Sequence, residues 1–234
     1  MIDIDELIKI AKKKGLKNKE FIEKDYYIDL LLYEFSSLTN NLVFKGGTAL
    51  YKIYGFPRFS EDIDFTAIGK IDINKIIDKI SKKHKFKISK KTFGTSIMLK
   101  FSFDGFLTEK NRIRIDINRY HKTKNYSLIP FISSYIDFPP FMLYVMNKNE
   151  ILAEKIHAIY NRNKARDLYD LFYLLRTEKP DIKLIKTKVP EFKVFDFLNK
   201  LPKYEKTWDR EIKLFAMEYV SYPIVKEFVI KAFN

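Results

Sequence analysis

The sequence predicts an α+β protein: a mixed sheet with flanking helices in the first half, then a helical C-terminal region. Three observations carry this. Short apolar or alternating stretches at 42–44, 60–66, 86–90, 96–103 and 112–118 read as strands. Helical spacing occurs between and beyond them, and no linker rich in Pro, Gly or Ser and no internal repeat divides the chain. A division into residues 1–140, helices plus sheet core, and 141–234, a helical region packed on that core, follows from the change of periodicity beyond Tyr120.

In order along the chain, Ile4, Leu7, Ile8 and Ala11 share a helical face that ends at Gly15. A second helix starts near Asn18 and carries Phe21, Tyr27, Leu30 and Leu31 to about residue 36. Leu42-Val43-Phe44 is a buried strand halted by Gly46-Gly47, and a helix is predicted over 48–54, with Thr48 placed to cap it. Gly55, Pro57 and Arg58 form a loop before the strand 60–66. Ile73, Ile76, Ile77 and Ile80 predict a helix over 72–83. After the strands ending at 118, helices are predicted over 150–160, 166–176, 181–188 and 223–233.

Composition limits the function. The 234 residues include 44 Lys+Arg and 30 Asp+Glu, a formal charge of +14, so a polyanion such as RNA, DNA, a nucleotide or acidic lipid is the natural partner. An AT-rich genome would raise lysine content without any ligand. Apolar residues at 46% support a sizeable core and exclude wholesale disorder. With no cysteine, disulfides, Cys-based zinc sites and thiol nucleophiles are excluded, and an intracellular, cytoplasmic protein is expected. No apolar run of membrane-spanning length and no secretory signal is seen, so no membrane partner is expected.

The sharpest chemical feature is Arg58-Phe59-Ser60-Glu61-Asp62-Ile63-Asp64-Phe65. In a strand Asp62 and Asp64 share a face, about 7 Å apart at Cα, and repel unless a cation or a hydrogen-bond donor lies between them. Mg²⁺ or Mn²⁺ suits such oxygen donors, above all when substrate phosphates complete the shell. A solvated surface strand explains the same spacing. In Arg112-Ile113-Arg114-Ile115-Asp116-Ile117-Asn118 the isoleucines take one face and Asp116 the other. Paired beside the first strand, Asp116 becomes a third carboxylate; otherwise it is the partner of Arg114 in a same-face ion pair. Gly46-Gly47-Thr48 reads as a strand–turn–helix junction where phosphate can approach backbone N–H groups, and it is not a Walker A loop.

Phe44-Lys45-Gly46-Gly47-Thr48-Ala49-Leu50 followed by Arg58 to Phe65 resembles the nucleotidyltransferase toxins of the AbiEii family. That family lies within the polymerase-β-like nucleotidyltransferases and type IV toxin–antitoxin or abortive-infection systems. Further matching blocks are Glu23-Lys24-Asp25-Tyr26-Tyr27, Ile151-Leu152-Ala153-Glu154-Lys155-Ile156-His157-Ala158 and Arg166-Asp167-Leu168-Tyr169-Asp170-Leu171, so the resemblance covers about residues 20–176. It implies a nucleotidyltransferase-fold sheet and metal-dependent transfer of a nucleotidyl group from an NTP, with tRNA the favoured acceptor and a cognate antitoxin as a further partner. Carried over by position, Gly46, Gly47 and Thr48 would hold triphosphate, Arg58 and Ser60 would line the same mouth, and Asp62 and Asp64 would bind metal. Lys155 and Asp167 match later motif residues, with Lys155 reaching the nucleotide's phosphates.

Taken as residues alone, Lys155 lies in the apolar stripe of Ile151, Leu152, Ile156 and Ile159 and either snorkels outward or meets an anionic site. Asp170 is spaced to pair with Arg166, Asp167 suits a first helical turn, and Glu61 points away from the aspartates towards a salt bridge. His84, His121 and His157 have no metal-ligand spacing. Other classes stay open: a catalytically silent NTP- or RNA-binding module, or transfer to a protein or small-molecule acceptor.

Overall fold

The computed structural model of the chain describes residues 2–119, 123 and 125–233, so His121 lies outside the described residues. The chain forms two compact units, Met1–Ala49 with Phe59–Met146, and Leu50–Arg58 with Asn147–Asn234.

The first unit contains helices α1 (Ile4–Lys13), α2 (Lys19–Leu38) and α4 (Ile73–Lys83), with the start of α3 (Gly46–Lys52). Its strands are β1 (Leu42–Lys45), β2 (Ile63–Ala67), β3 (Lys87–Phe93), β4 (Ser96–Phe103), β5 (Asn111–Asn118), β6 (Tyr126–Phe131) and β7 (Phe141–Met146). They form one sheet in the order β3-β4-β5-β2-β1-β7-β6. The pairs β2/β5 and β1/β7 are parallel and the other ladders antiparallel, which makes the sheet mixed.

Local chemistry explains the elements. Asn18 caps α2 by accepting from the Glu20 and Phe21 N–H groups, and Asp72 caps α4 through the Lys75 N–H. Gly15, at φ 73°, ends the turn after α1 in a left-handed conformation that glycine adopts without strain. Ile97, Leu99, Phe101, Ile113, Ile115 and Ile117 are buried, while the residues between them on β4 and β5 face outward. On the buried face α2 lies against β5 and β7, with Phe35 stacked on Phe65 at 5.6 Å between centroids. Burying each such aromatic removes enough apolar surface to contribute about 1.5–3 kcal/mol.

The second unit is helical: α5 (Lys148–Asn161), α6 (Ala165–Leu175), α7 (Ile182–Lys188), α8 (Val194–Leu198), a 3₁₀ turn (Leu201–Tyr204), α9 (Glu205–Phe215) and α10 (Tyr222–Phe233). Trp208 is fully buried and donates its indole N–H to the Val220 carbonyl at 2.9 Å, so its polar edge is satisfied within the core.

The structure departs from the sequence expectation at several points. Two strands occupy the stretch beyond residue 120, where mainly helical periodicity was expected. β7 lies between β1 and β6, and its run Phe-Met-Leu-Tyr-Val-Met places an apolar Met142 at an exposed position beside buried Leu143 and Val145, so its composition does not alternate although its burial does. β6 is the edge strand, the position in a sheet that tolerates Pro130. The sheet unit therefore continues past the expected boundary at 140 to Met146, and residues 50–58 belong to the second unit. α3 begins at Gly46 rather than Thr48, and β2 begins at Ile63, leaving Asp62 one residue before the strand. α9 was not expected, because only Trp208 and Ile212 mark its buried face.

Candidate functional site

The parallel pairing of β2 with β5 sets Asp64 directly beside Asp116. Antiparallel pairing with β1 sets Lys45 on the other side of Asp64, so Lys45, Asp64 and Asp116 form one row across three strands. Because side chains alternate, this row lies on the face opposite the buried Ile63, Phe65, Ile115 and Ile117. Asp62 sits just ahead of β2, and the Asp116 carboxylate is close enough to act on its ionisation. Burial, then the negative charges of Glu61 and Asp116, push the Asp62 carboxyl above its ordinary value, against the opposing effect of Arg114 and Lys24.

The turn between β1 and α3 closes over this row. Gly46 has φ 76°, and a Cβ there would collide with the Asp64 carboxylate. Glycine is thus required twice, for the left-handed backbone and for the close approach. Thr48, expected as a cap, lies inside α3; its hydroxyl meets the Ser60 hydroxyl at 2.9 Å and donates to the Asp62 carbonyl. Phe59 stacks on Phe21 at 4.5 Å, and Lys24 pairs with Glu61 at 2.7 Å, so Glu61 has the salt bridge that its orientation predicted. These contacts hold the segment 59–62 from both sides. Gly46→Ala is expected to lose about 1–2 kcal/mol from the left-handed backbone alone, with a further loss as the Asp64 carboxylate is displaced. Urea denaturation of the purified variant measures this, and unchanged stability would contradict the close packing.

Three aspartates form a hard, oxygen-only donor set that suits Mg²⁺ or Mn²⁺. The upward shift of the Asp62 carboxyl, from burial and from the Glu61 and Asp116 charges, marks a place that disfavours further negative charge, and a cation between Asp62 and Asp64 would offset it. Asp116 is engaged by the Arg114 guanidinium at 2.7 Å, the same-face pair anticipated as its alternative role. Among the described residues no three acids or histidines are already arranged around a common ion position.

The block at 23–27 positions this unit. Glu23 is fully buried and accepts from the Thr108 N–H at 2.9 Å, its hydroxyl at 2.5 Å, the Asn111 side chain at 2.9 Å and the Leu107 N–H. Burial alone would raise its carboxyl pKa, yet these donors leave it below its ordinary value. They fix the loop that leads into β5, and hence the strand that carries Asp116. Asp25 accepts from Lys14 at 2.5 Å and from the Tyr135 hydroxyl at 2.7 Å. The sequence marked this block only by resemblance, because the donors to Glu23 and the Tyr135 hydroxyl on Asp25 lie 84–110 positions away.

The remaining predicted residues belong to the second unit. Arg58 is 3% exposed and grips Asp170 in a fork, Nε to Oδ1 and Nη2 to Oδ2, both 2.8 Å. Lys155 reaches Asp170 at 2.7 Å and Asp167 at 3.0 Å, and Asp167 also binds Arg162 at 2.7 Å. Asp170 therefore pairs with Arg58 and Lys155, not with the Arg166 that helical spacing suggested; Arg166 lies over the Phe215 ring. Lys155 does not snorkel outward: two buried carboxylates hold it inside. Burial works against both cations, but Asp170 and Asp167 more than compensate and raise the ionisation of Lys155 and Arg58. The same contacts hold Asp167 and Asp170 well below the usual carboxylate range, again against burial. His84 bonds to Glu34 at 2.8 Å, and His157 to Asn161 at 2.9 Å.

Fold and row together define the class, a nucleotidyltransferase fold. Two Helicobacter pylori structures are similar: a candidate nucleotidyltransferase (TM-score 0.68, 18% identity, covering 93% of this chain and 94% of that one) and JHP933 (0.61, 16%, 92% and 91%). The nucleotidyltransferase toxin MenT4 of Mycobacterium tuberculosis matches with a TM-score of 0.67 at 20% identity, over 97% of this chain and 88% of that one. No curated protein matches the chain. The family model described as nucleotidyl transferase AbiEii toxin, type IV TA system, matches residues 30–223, and the chain belongs to that family. Among the described residues no helix is long and apolar enough to cross a membrane.

Proposed function

We propose that the chain is a metal-dependent nucleotidyltransferase that moves a nucleotidyl group from an NTP to an acceptor hydroxyl, with the 3′ end of tRNA as acceptor. The observation that carries this reading is the side-by-side register of Asp64 and Asp116, with Asp62 at the strand entrance and Gly46 closed over Asp64. Asp62 and Asp64, joined by Asp116, would hold Mg²⁺ or Mn²⁺, which when bound neutralises phosphate charge and favours in-line displacement. The backbone N–H groups of Gly46, Gly47 and Thr48 hold the triphosphate, and the Ser60 hydroxyl borders it. Asp116 orients the acceptor hydroxyl and takes its proton as the oxygen bonds to the α-phosphorus and pyrophosphate leaves. This is toxin chemistry in a toxin–antitoxin family, with a cognate antitoxin as the expected protein partner and the cytoplasm as the expected site of action.

For Arg58, Lys155 and Asp167 we assign a holding role in the second unit in place of direct nucleotide contact. Each is buried, and its charge is already met by a partner within 3.0 Å. One observation favours a second reading, a silent NTP-binding module: Arg114 already occupies Asp116.

Purified protein with Mg²⁺, each α-labelled NTP in turn and total RNA decides between them. A labelled band of tRNA size is expected, with one NTP preferred. NTP binding without incorporation into any RNA would favour the silent module and overturn the transferase.

A further inference from the structure

The ladders β3/β4 and β4/β5 bring an unusual set of side chains onto the face that carries Asp64 and Asp116. Their register places Lys87, Ser102 and Arg112 in one row, and Ser89, Lys100 and Arg114 in the next. A third row is Lys91, Met98 and Asp116, and a fourth is Phe93, Ser96 and Asn118. Neighbours within a row are about 4.8 Å apart and rows about 7 Å apart. The third row continues through Asp64 to Lys45, so the surface runs unbroken from the outer strand to the carboxylates.

This face is built for a polyanion. Lys87, Lys91, Lys100 and Arg112 have no ion pair among the described residues, and Arg114 is the only one of the five cations held by an acid there. Phe93 stands on the same face with 59% of its surface exposed, at the end of an edge strand. Cations track a phosphate backbone, and an exposed ring beside them gives an unpaired base something to stack on. A duplex would leave the ring unused, because its bases already stack on each other. An acidic protein would need the lysines but not the ring.

We propose that the open face of β3, β4 and β5 is a docking platform for single-stranded RNA, delivering its 3′ end to the row of Asp64 and Asp116. Lys87, Lys91, Lys100 and Arg112 bind phosphates and Phe93 stacks one base. The delivery half of this proposal rests on the transferase reading; the binding half does not.

The test is fluorescence anisotropy with a short labelled single-stranded RNA in the absence of NTP, as a salt titration. The combined variant Lys87→Gln, Lys91→Gln and Lys100→Gln should flatten the slope of log K against log salt by about 2, near 0.7 for each lost phosphate contact. Phe93→Ala should weaken binding about tenfold with the slope unchanged. Lys90→Gln removes the same charge from the other parity of β3, where its ammonium bonds to Asn74 at 2.6 Å, and should leave the slope unaltered. A wild-type slope in the triple variant would overturn the platform. So would Phe93→Ala binding as tightly as wild type while polyglutamate competes as well as RNA, which would assign the face to an acidic protein. If RNA binding falls as expected but no nucleotide is ever transferred, the platform stands and the transferase reading fails. If transfer occurs and the triple variant binds RNA normally, the reverse holds.

Discussion

Asp64→Asn should cut nucleotidyl transfer at least a thousandfold while leaving the protein about as stable as wild type. Asn matches Asp in shape, so β2 keeps its register with β5 and Gly46 keeps its close neighbour. What changes is charge. A divalent ion and its carboxylates stabilise developing charge on phosphorus oxygens by several kcal/mol, and each 1.36 kcal/mol is tenfold in rate, which sets the scale at about 10³. Stability should change little, because the shape is kept and the Asp64 charge, which favours the cationic form of Arg114, lies on a partly exposed face. Incorporation of α-labelled NTP into RNA and a thermal melt, run on the same preparation, read both quantities. Transfer retained near the wild-type rate would remove Asp64 from the site, and a large loss of stability would recast it as a structural acid.

The reasons why some of this was legible in the sequence and some was not are physical. Alternation along 112–118 located β5 and its outward Asp116, because Ile113, Ile115 and Ile117 must all reach the same core. The glycine pair marked a position without room for a side chain, and that position is Gly46 against Asp64. Alternation does not say which strand lies beside which, and the register of Asp64 with Asp116 joins strands some fifty positions apart. Nor does helical spacing reveal that Asp170 looks across to Arg58, 112 positions away, rather than along its own helix to Arg166. Local pair rules rank partners by sequence distance, whereas burial selects them by which charges would otherwise be stranded without water. β7 was missed because apolar residues such as Met142 occupy its open face too, so the run is apolar throughout and its composition resembles that of a buried helix.

The buried network of the second unit leads to the other large effect. Asp170→Asn removes the carboxylate that the Arg58 guanidinium and the Lys155 ammonium share, while the Asp167 carboxylate beside Lys155 already serves Arg162. Breaking a buried pair by removing one partner costs about 3–5 kcal/mol, because the stranded charge has no water to return to. Against a typical total of about 5–15 kcal/mol that is a large fraction, and it should appear as a marked fall in the urea midpoint. Asp116→Asn is the natural contrast: its pair with Arg114 is solvent-exposed, 51% and 31%, and its loss should cost no more than about 1 kcal/mol. The same network sets the response to acid. Asp167 and Asp170 ionise well below their unfolded value of about 3.9, so between the two values the unfolded chain binds more protons than the folded one. Their contribution is complete above the unfolded value and is lost as the pH falls through the folded one. Wild type should therefore lose stability steeply below about pH 4, and Asp170→Asn, lacking one of the two groups, should lose less over the same interval. Urea titrations of both proteins from neutral pH into acid would show it; parallel curves would mean that Asp170 does not carry its charge in the folded core.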